Sequence, residues 1–346
     1  MGQFLVRRLL WLIPVMLTVA IITFTLMHAA PGGPWDRDPG RRQIDPATQA
    51  NLNVQFGLDK EIWFDLDALK KGDVLGFFDT QFFTYMIGGT VRGEWRCGFI
   101  CGNLGPSFAQ RGLMVQDVLF DPPEGRPFWD SKAGYSIRLG VLALVIAVAV
   151  GLPVGIIAAL KQNTWIDYLS LFIATVGITI PNFVMGIFLI IIFAVWLHLI
   201  PVVPKDWSDP RFWILPAVVL GFNLMATTAR LTRSSMLEVM RQDYIRTARA
   251  KGLQERMVIF KHMLKNALIP VVTILGPALV GLITGSFIIE TMFAFPGWGR
   301  QYVTAISQRD YSMIMATTLL FALLIQLANI SVDFVYTLID PRIKLS

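Results

Sequence analysis

The feature that most limits how this chain can fold is a set of long stretches that contain no Asp, Glu, Lys or Arg. Six such runs occur: Leu9–Ala30, Leu139–Leu160, Tyr168–Pro204, Phe212–Ala229, Asn266–Ile289 and Tyr311–Val332. Crossing about 30 Å of hydrocarbon takes about 20 apolar residues as a helix. Only a helix or a closed barrel keeps every backbone N–H and C=O paired in lipid. Barrels read as short alternating segments. These runs are continuous, so they predict an all-α integral membrane protein with about six transmembrane helices. The run Tyr168–Pro204 is too long for one simple span and predicts a helix to about Leu197 followed by an exposed, proline-containing loop. Composition agrees: 54% of the 346 residues are hydrophobic and 16% charged, against about 25% charged in a soluble domain.

The first run is longer than the apolar core of a cleaved signal peptide, about 7–15 residues. Pro31 after His28-Ala29-Ala30 is a poor cleavage context, which favours a retained first helix. Orientation follows Lys and Arg in short loops. With the N-terminus inside, segments 1–8, 161–167, 230–265 and 333–346 hold fourteen Lys and Arg, nine of them in 230–265, against two in each of the outside loops 198–212 and 290–310. Both termini are expected in the cytoplasm. The net charge of +6 is then read as topology, and no basic segment lies outside this membrane setting to argue for nucleic acid.

Three polar pieces remain. Residues 31–135 form an extracytoplasmic insert after residues 1–30, and residues 136–346 form the helical membrane core, which includes the cytoplasmic segment 230–265. Within the insert, Pro46–Asp59 reads as a short helix stopped at Gly57, and Phe77–Gly89 as an aromatic, glycine-rich stretch that lies against the membrane or packs on the insert. Cys97 and Cys101, the only cysteines, read as a local disulfide on an oxidising face, with two free buried thiols as the alternative. Two cysteines without a neighbouring histidine are too few for a metal site. The outer loop holds Pro296-Gly297-Trp298-Gly299, a sharp turn followed by close backbone approach. Glu290 stands at its start, either lining the pathway with Pro296, Gly297 and Gly299 or resting at the polar interface. The piece 230–265 carries a helix over Asp243–Lys251 stopped by Gly252, then an amphipathic helix over about Gln254–Lys265. A two-turn helix is not stable alone, so it must lean on lipid headgroups or on a partner. The small residues Ala248, Ala250 and Gly252 favour packing into a groove.

At these residues the sequence resembles the cytoplasmic signature of binding-protein-dependent ABC importer permeases, in particular the B-type subunit of the dipeptide/oligopeptide/nickel family. The resemblance rests on Tyr244-Ile245-Arg246-Thr247-Ala248-Arg249-Ala250-Lys251-Gly252 followed by Asn266-Ala267-Leu268-Ile269-Pro270. It also rests on Arg7-Arg8 with Pro14, Ala30-Pro31-Gly32-Gly33-Pro34, Phe56-Gly57-Leu58-Asp59, Phe293-Ala294-Phe295-Pro296-Gly297-Trp298-Gly299-Arg300, Arg309-Asp310-Tyr311 and Asp340-Pro341-Arg342. These matches follow the family's order over nearly the whole chain. The general permease pattern places Glu-Ala-Ala where Arg246, Thr247 and Ala248 stand, and the missing acid is typical of the peptide branch. Residues about 65–102 look like an insertion, with family text resuming at Leu104-Gly105-Pro106-Ser107.

The resemblance implies a multi-pass protein of the plasma (inner) membrane that forms the pathway of an ATP-driven importer of di- and oligopeptides, with nickel or oligosaccharide as alternative cargo. It implies a second homologous permease subunit, two ATPase subunits and an extracytoplasmic substrate-binding protein as partners. It places the ATPase contact on Asp243, Tyr244, Arg246, Thr247, Ala248, Arg249, Ala250, Lys251 and Gly252. The chain has no Gly-x-x-x-x-Gly-Lys-Ser/Thr phosphate loop and no hydrolase motif, so it is expected to be no enzyme and to bind no cofactor, with ATP and Mg held by the partner subunits. A secondary transporter would need coupling charges inside its spans, and the six runs hold no Asp, Glu, Lys or Arg.

Overall fold

The computed structural model describes residues 2–35, 45–201, 203–204 and 206–339, with side chains described from residue 6 to residue 331; Asp340-Pro341-Arg342 lies outside the described residues. The chain opens with helix α1 (Gly2–Ala29), which carries Pro14. In the insert, three short helices start at aspartates whose carboxylates accept first-turn backbone N–H groups, the preferred N-cap chemistry. These are α2 (Pro46–Phe56), capped by Asp45; α3 (Leu66–Lys70), by Asp65; and α4 (Val74–Phe78), by Asp73. Helix α2 stops at Gly57, which adopts φ +70° as the predicted stop requires. Helix α5 (Gln81–Met86) follows.

The insert then departs from the all-helical expectation. Strands β1 (Gly88–Val91) and β2 (Glu94–Cys97) pair antiparallel, Val91 opposite Glu94. Their two-residue turn is Arg92-Gly93, with both φ positive (55° and 79°), as a two-residue hairpin of type I′ demands. The bond between Cys97 and Cys101 ties the end of β2 to the following turn. A short helix α6 (Val115–Phe120) ends the insert.

The remaining elements are α7 (Lys132–Leu160), α8 (Trp165–Thr179), α9 (Asn182–Ile190, continuing as a wider turn to Trp196), α10 (Arg211–Met240) and α11 (Asp243–Ala250). They continue with α12 (Glu255–Met257), a wide-turn stretch Val258–Met263, α13 (Leu264–Ala267), α14 (Ile269–Ile283), α15 (Phe287–Met292), α16 (Trp298–Gln308) and α17 (Tyr311–Ile339). Four helices are long and apolar enough to cross a membrane: Val6–Ala29, Lys132–Leu160, Arg211–Met240 and Tyr311–Ser331. Two bent helix pairs bring the number to six if each counts as one span. The third run is two helices, Trp165–Thr179 and Asn182–Trp196, at 109°, because Pro181 has no N–H to continue the ladder. The fifth is bent by 52° at Leu268, just before Pro270. It ends at Ile283 and not at Ile289, because Gly285 turns the chain with φ +78°. Helix α10 runs eleven residues past its apolar run, so much of the predicted basic loop is helix.

The chain divides into two compact units, Leu9–Gly134 with Gln301–Leu323, and Met1–Arg8 with Tyr135–Arg300 and Leu324–Ser346. In the first, Phe24, Phe82, Met86, Phe108, Tyr311 and Met315 form one buried cluster, so the aromatic stretch of the insert packs inward at Phe82 and Met86. In the second, one cluster joins Leu139, Ala143, Trp213, Val219, Leu282 and Phe295. Apolar side chains also point outward: Leu10, Trp11 and Ile13 on α1 and Phe172 on α8 are each more than half exposed. Water does not tolerate such surface on this scale, and lipid does.

Candidate functional site

The basic segment begins where α10 ends. Helix α10 ends at Met240, extended backbone at Gln242 (ψ 146°) turns the chain, and Asp243 starts α11 with an acid in its first turn, favourable to the helix dipole. Ile245 and Ala248, one turn apart, face inward. They are buried with Met236 of α10, Ala159 of α7, and Val258, Met263 and Ala267 of the following stretch. The other face is exposed: Asp243, Tyr244, Arg246, Thr247, Arg249, Ala250 and Lys251. Tyr244 Oη accepts a 2.7 Å hydrogen bond from Asn266 Nδ2, which ties the start of α11 to the lead-in of α14. Arg249 pairs with Glu255 at 2.6 Å and Arg246 with Asp243 at 3.4 Å. Gly252 closes the helix with φ +74°, and its N–H donates to the Arg249 carbonyl at 2.9 Å.

One expectation about this segment is corrected. The Ala248 side chain is expected to allow close approach of a partner, yet it is 6% exposed and part of the chain's own core. Gly252 takes the left-handed backbone that the expected helix stop requires, and a Cβ there would meet nothing within 4 Å of this chain.

Glu290 is corrected as well. It is fully buried and neither lines an open passage nor rests at an interface. Its carboxylate accepts from Ser136 Oγ at 2.8 Å and from the Arg300 N–H at 3.0 Å. Arg300 lies in the first turn of α16, so Glu290 caps that helix from α15. Ser136 Oγ accepts in turn from the Trp298 N–H at 3.1 Å, and Trp298 Nε1 donates to the Thr284 carbonyl at 3.1 Å. A Cβ at Gly297 or Gly299 would press on this carboxylate, which is why both positions are glycine. Pro296 makes the turn between Phe295 and that cradle. Burial pushes the Glu290 carboxyl up to about 7, against the opposing pull of its hydrogen bonds from Ser136, Arg300 and Gly299.

One arrangement escaped the sequence. Asp167 on α8 and Arg233 on α10 form a bidentate ion pair, with Arg233 Nη2 at 2.7 Å from Asp167 Oδ2. Asp167 is 1% exposed at the side chain and also accepts the Asn163 N–H at 3.0 Å. The cysteines, in contrast, are bonded as the leading reading had it. Among the described residues, no group of three or more His, Cys, Asp and Glu side chains is placed to hold a metal ion.

Residues 151–345 match the family described as the binding-protein-dependent transport system inner membrane component. This chain belongs to that family. Full-length relatives agree. The dipeptide transport system permease protein DppB of Bacillus subtilis (strain 168) is 39% identical over 345 residues, covering 100% of this chain and 99% of the relative. The oligopeptide transport system permease protein OppB of Escherichia coli (strain K12) is 38% identical over 344 residues, covering 99% and 100%. That of Haemophilus influenzae is 34% identical over 344 residues, with the same coverage. The chain is therefore a membrane-embedded, mostly helical permease-family protein, and its family is not one of enzymes.

Proposed function

We propose that this permease is the B-type subunit of an ATP-driven importer of di- and oligopeptides. In this reading a second homologous permease completes the pathway. Two ATPase subunits bind ATP and Mg on the cytoplasmic side, and a substrate-binding protein delivers peptide from outside. The observation that carries the reading is the two-faced geometry of α11, in a chain that is similar from end to end to peptide permeases. Ile245 and Ala248 fix the helix to the chain's own core, while Arg246, Thr247, Arg249, Ala250 and Lys251 stay exposed. A helix of eight residues held on one side only is a docking element for a partner surface.

Closure of the ATPase pair would push α11, and α11 cannot move alone. Ile245 and Ala248 share a buried cluster with Met236 of α10 and Ala267 of α13, so displacement passes to the helices that follow as a rigid-body shift. The same face carries net positive charge, which suits an acidic rim on the ATPase cleft. Two measurements test the reading. Affinity purification in mild detergent should recover a second permease and an ATPase with a phosphate-loop motif. Peptide uptake by cells should stop when ATP is depleted while ion gradients are held. Uptake that continues on the gradient alone would show a secondary transporter instead.

A further inference from the structure

An open cavity lies in the unit that contains Tyr135–Arg300. Its volume is about 490 Å³, within the range of about 300–1,000 Å³ typical of ligand sites. Its walls come from α9, α10 and α14. Asn182, Asn223 and Thr227 supply the polar groups, Pro277 and Gly281 form part of the third side, and no Asp, Glu, Lys, Arg or His lines it. Asn223 is near the middle of the thirty-residue helix α10, far from either polar end.

The polar groups are there because the third span is broken. Pro181 brings no N–H, so the Gly177 carbonyl loses its helical partner. Asn223 Nδ2 turns to the freed carbonyls of Gly177 and Ile178, at 3.5 and 3.4 Å. Asn182, first residue of α9, sends Nδ2 to the Leu220 carbonyl at 3.4 Å, while its Oδ1 is buried with no hydrogen-bond partner. Thr227 Oγ1 donates to the Asn223 carbonyl at 2.9 Å. A lipid chain can satisfy none of these groups, and an amide left unpaired in hydrocarbon is costly. Irregular backbone at span depth is tolerated where it is buried in protein or lines a water-filled cavity, and here the break stands beside a cavity.

We propose that Asn182, Asn223 and Thr227 form an uncharged hydrogen-bonding station for the main-chain amides of a peptide in transit. The inference rests on the peptide reading above and deepens it. A peptide backbone alternates N–H donors with C=O acceptors, and side-chain amides and hydroxyls match both. With no charge in the wall, the station does not select for a terminus or for a charged side chain. It therefore accepts peptides of varied sequence, and it offers nothing to a bare metal ion.

The test uses the assembled importer in proteoliposomes with its ATPase and binding protein. A Cβ at Gly281 meets nothing within 4 Å, and both native cysteines are bonded to each other, so Gly281→Cys adds a single free thiol to this chain with little strain. A small, permanently charged methanethiosulfonate reagent is expected to label it, more slowly in the presence of transported peptide. Labelling should cut peptide uptake at least ten-fold while recovery of the ATPase in pull-downs is unchanged. Asn182→Asp should shift selectivity at least ten-fold toward Lys-containing over Glu-containing peptides of equal length, whereas Asn182→Gln should transport without that bias. Absence of labelling in the assembled complex, or uptake unchanged after labelling, overturns the station and leaves the peptide reading standing. A wild-type complex that takes up no peptide overturns the peptide reading and the station with it.

Discussion

Glu290 and Asp167 are both carboxylates buried in the same unit, and their surroundings give them opposite roles. Glu290 faces neutral donors only: Ser136 Oγ and the backbone N–H groups at the start of α16. Burial therefore raises it, from an ordinary value of 4.5 to about 7. The folded chain keeps a proton there that the unfolded chain releases above about 4.5. Its contribution to stability is thus greatest at low pH and is lost as pH rises, by about 3 kcal/mol in all at about 1.4 kcal/mol per unit. Thermal unfolding of the purified protein at pH 5 and pH 8 should show this slope, and Glu290→Gln should flatten it. Glu290→Leu should be the worse variant, because it leaves Ser136 and the Arg300 N–H buried or half-buried without an acceptor, at about 1–3 kcal/mol for each such group. Asp167 faces a cation. Removing either partner of such a pair costs about 3–5 kcal/mol, while replacing both with apolar residues costs far less. Asp167→Leu and Arg233→Leu should each lower the melting temperature, and the double variant should recover most of the loss.

Short elements here depend on one face. In α11, Ile245 is fully buried, and Ile245→Ala should cost about 2–5 kcal/mol and weaken coupled ATP hydrolysis through loss of the helix's seat. Arg246→Glu with Lys251→Glu should leave the melting temperature within a degree or two, since exposed charges contribute about 0–1 kcal/mol. The same pair should abolish recovery of the ATPase, which a pull-down reads directly. The β1–β2 hairpin is held otherwise. Its bond between Cys97 and Cys101 closes a very short loop, worth at most about 2 kcal/mol by loop entropy. Cys97→Ser with Cys101→Ser should therefore insert and transport, with a loss confined to protease resistance of the insert. The helix stop at Gly252 was legible from the sequence because a single glycine after a helical stretch is local chemistry. The inward turn of Ala248 was not, because which side of a short helix is buried depends on Met236, Val258 and Met263, all outside it. Arg92-Gly93 was missed for a similar reason: it lacks the Asn-Gly or Asp-Gly signal, and only strand pairing reveals the turn.

Across the whole chain, the charge distribution assigns sides that a labelling experiment can check. A cysteine at Leu75, 86% exposed in the insert, should react in intact cells. One at Thr247 on α11 should react only in inverted vesicles. The amino-acid sequence by itself determined the number of apolar runs, the basic segment and the family, because hydrocarbon thickness and helical rise fix how many uncharged residues a span needs. It also placed the disulfide and the stops at Gly57 and Gly252. Tertiary structure alone decided the rest. Leu139–Leu160 and Tyr311–Val332 each form one continuous helix, whereas Tyr168–Pro204 folds at Pro181 into two, and the amide of Asn223, some 45 residues along the chain, meets the carbonyls that the break frees. Glu290 became a cap and not a pathway residue because Ser136, 154 residues earlier, closes over it. Apolar periodicity is a property of neighbouring residues; the satisfaction of a buried polar group is a property of whichever segment the fold brings beside it.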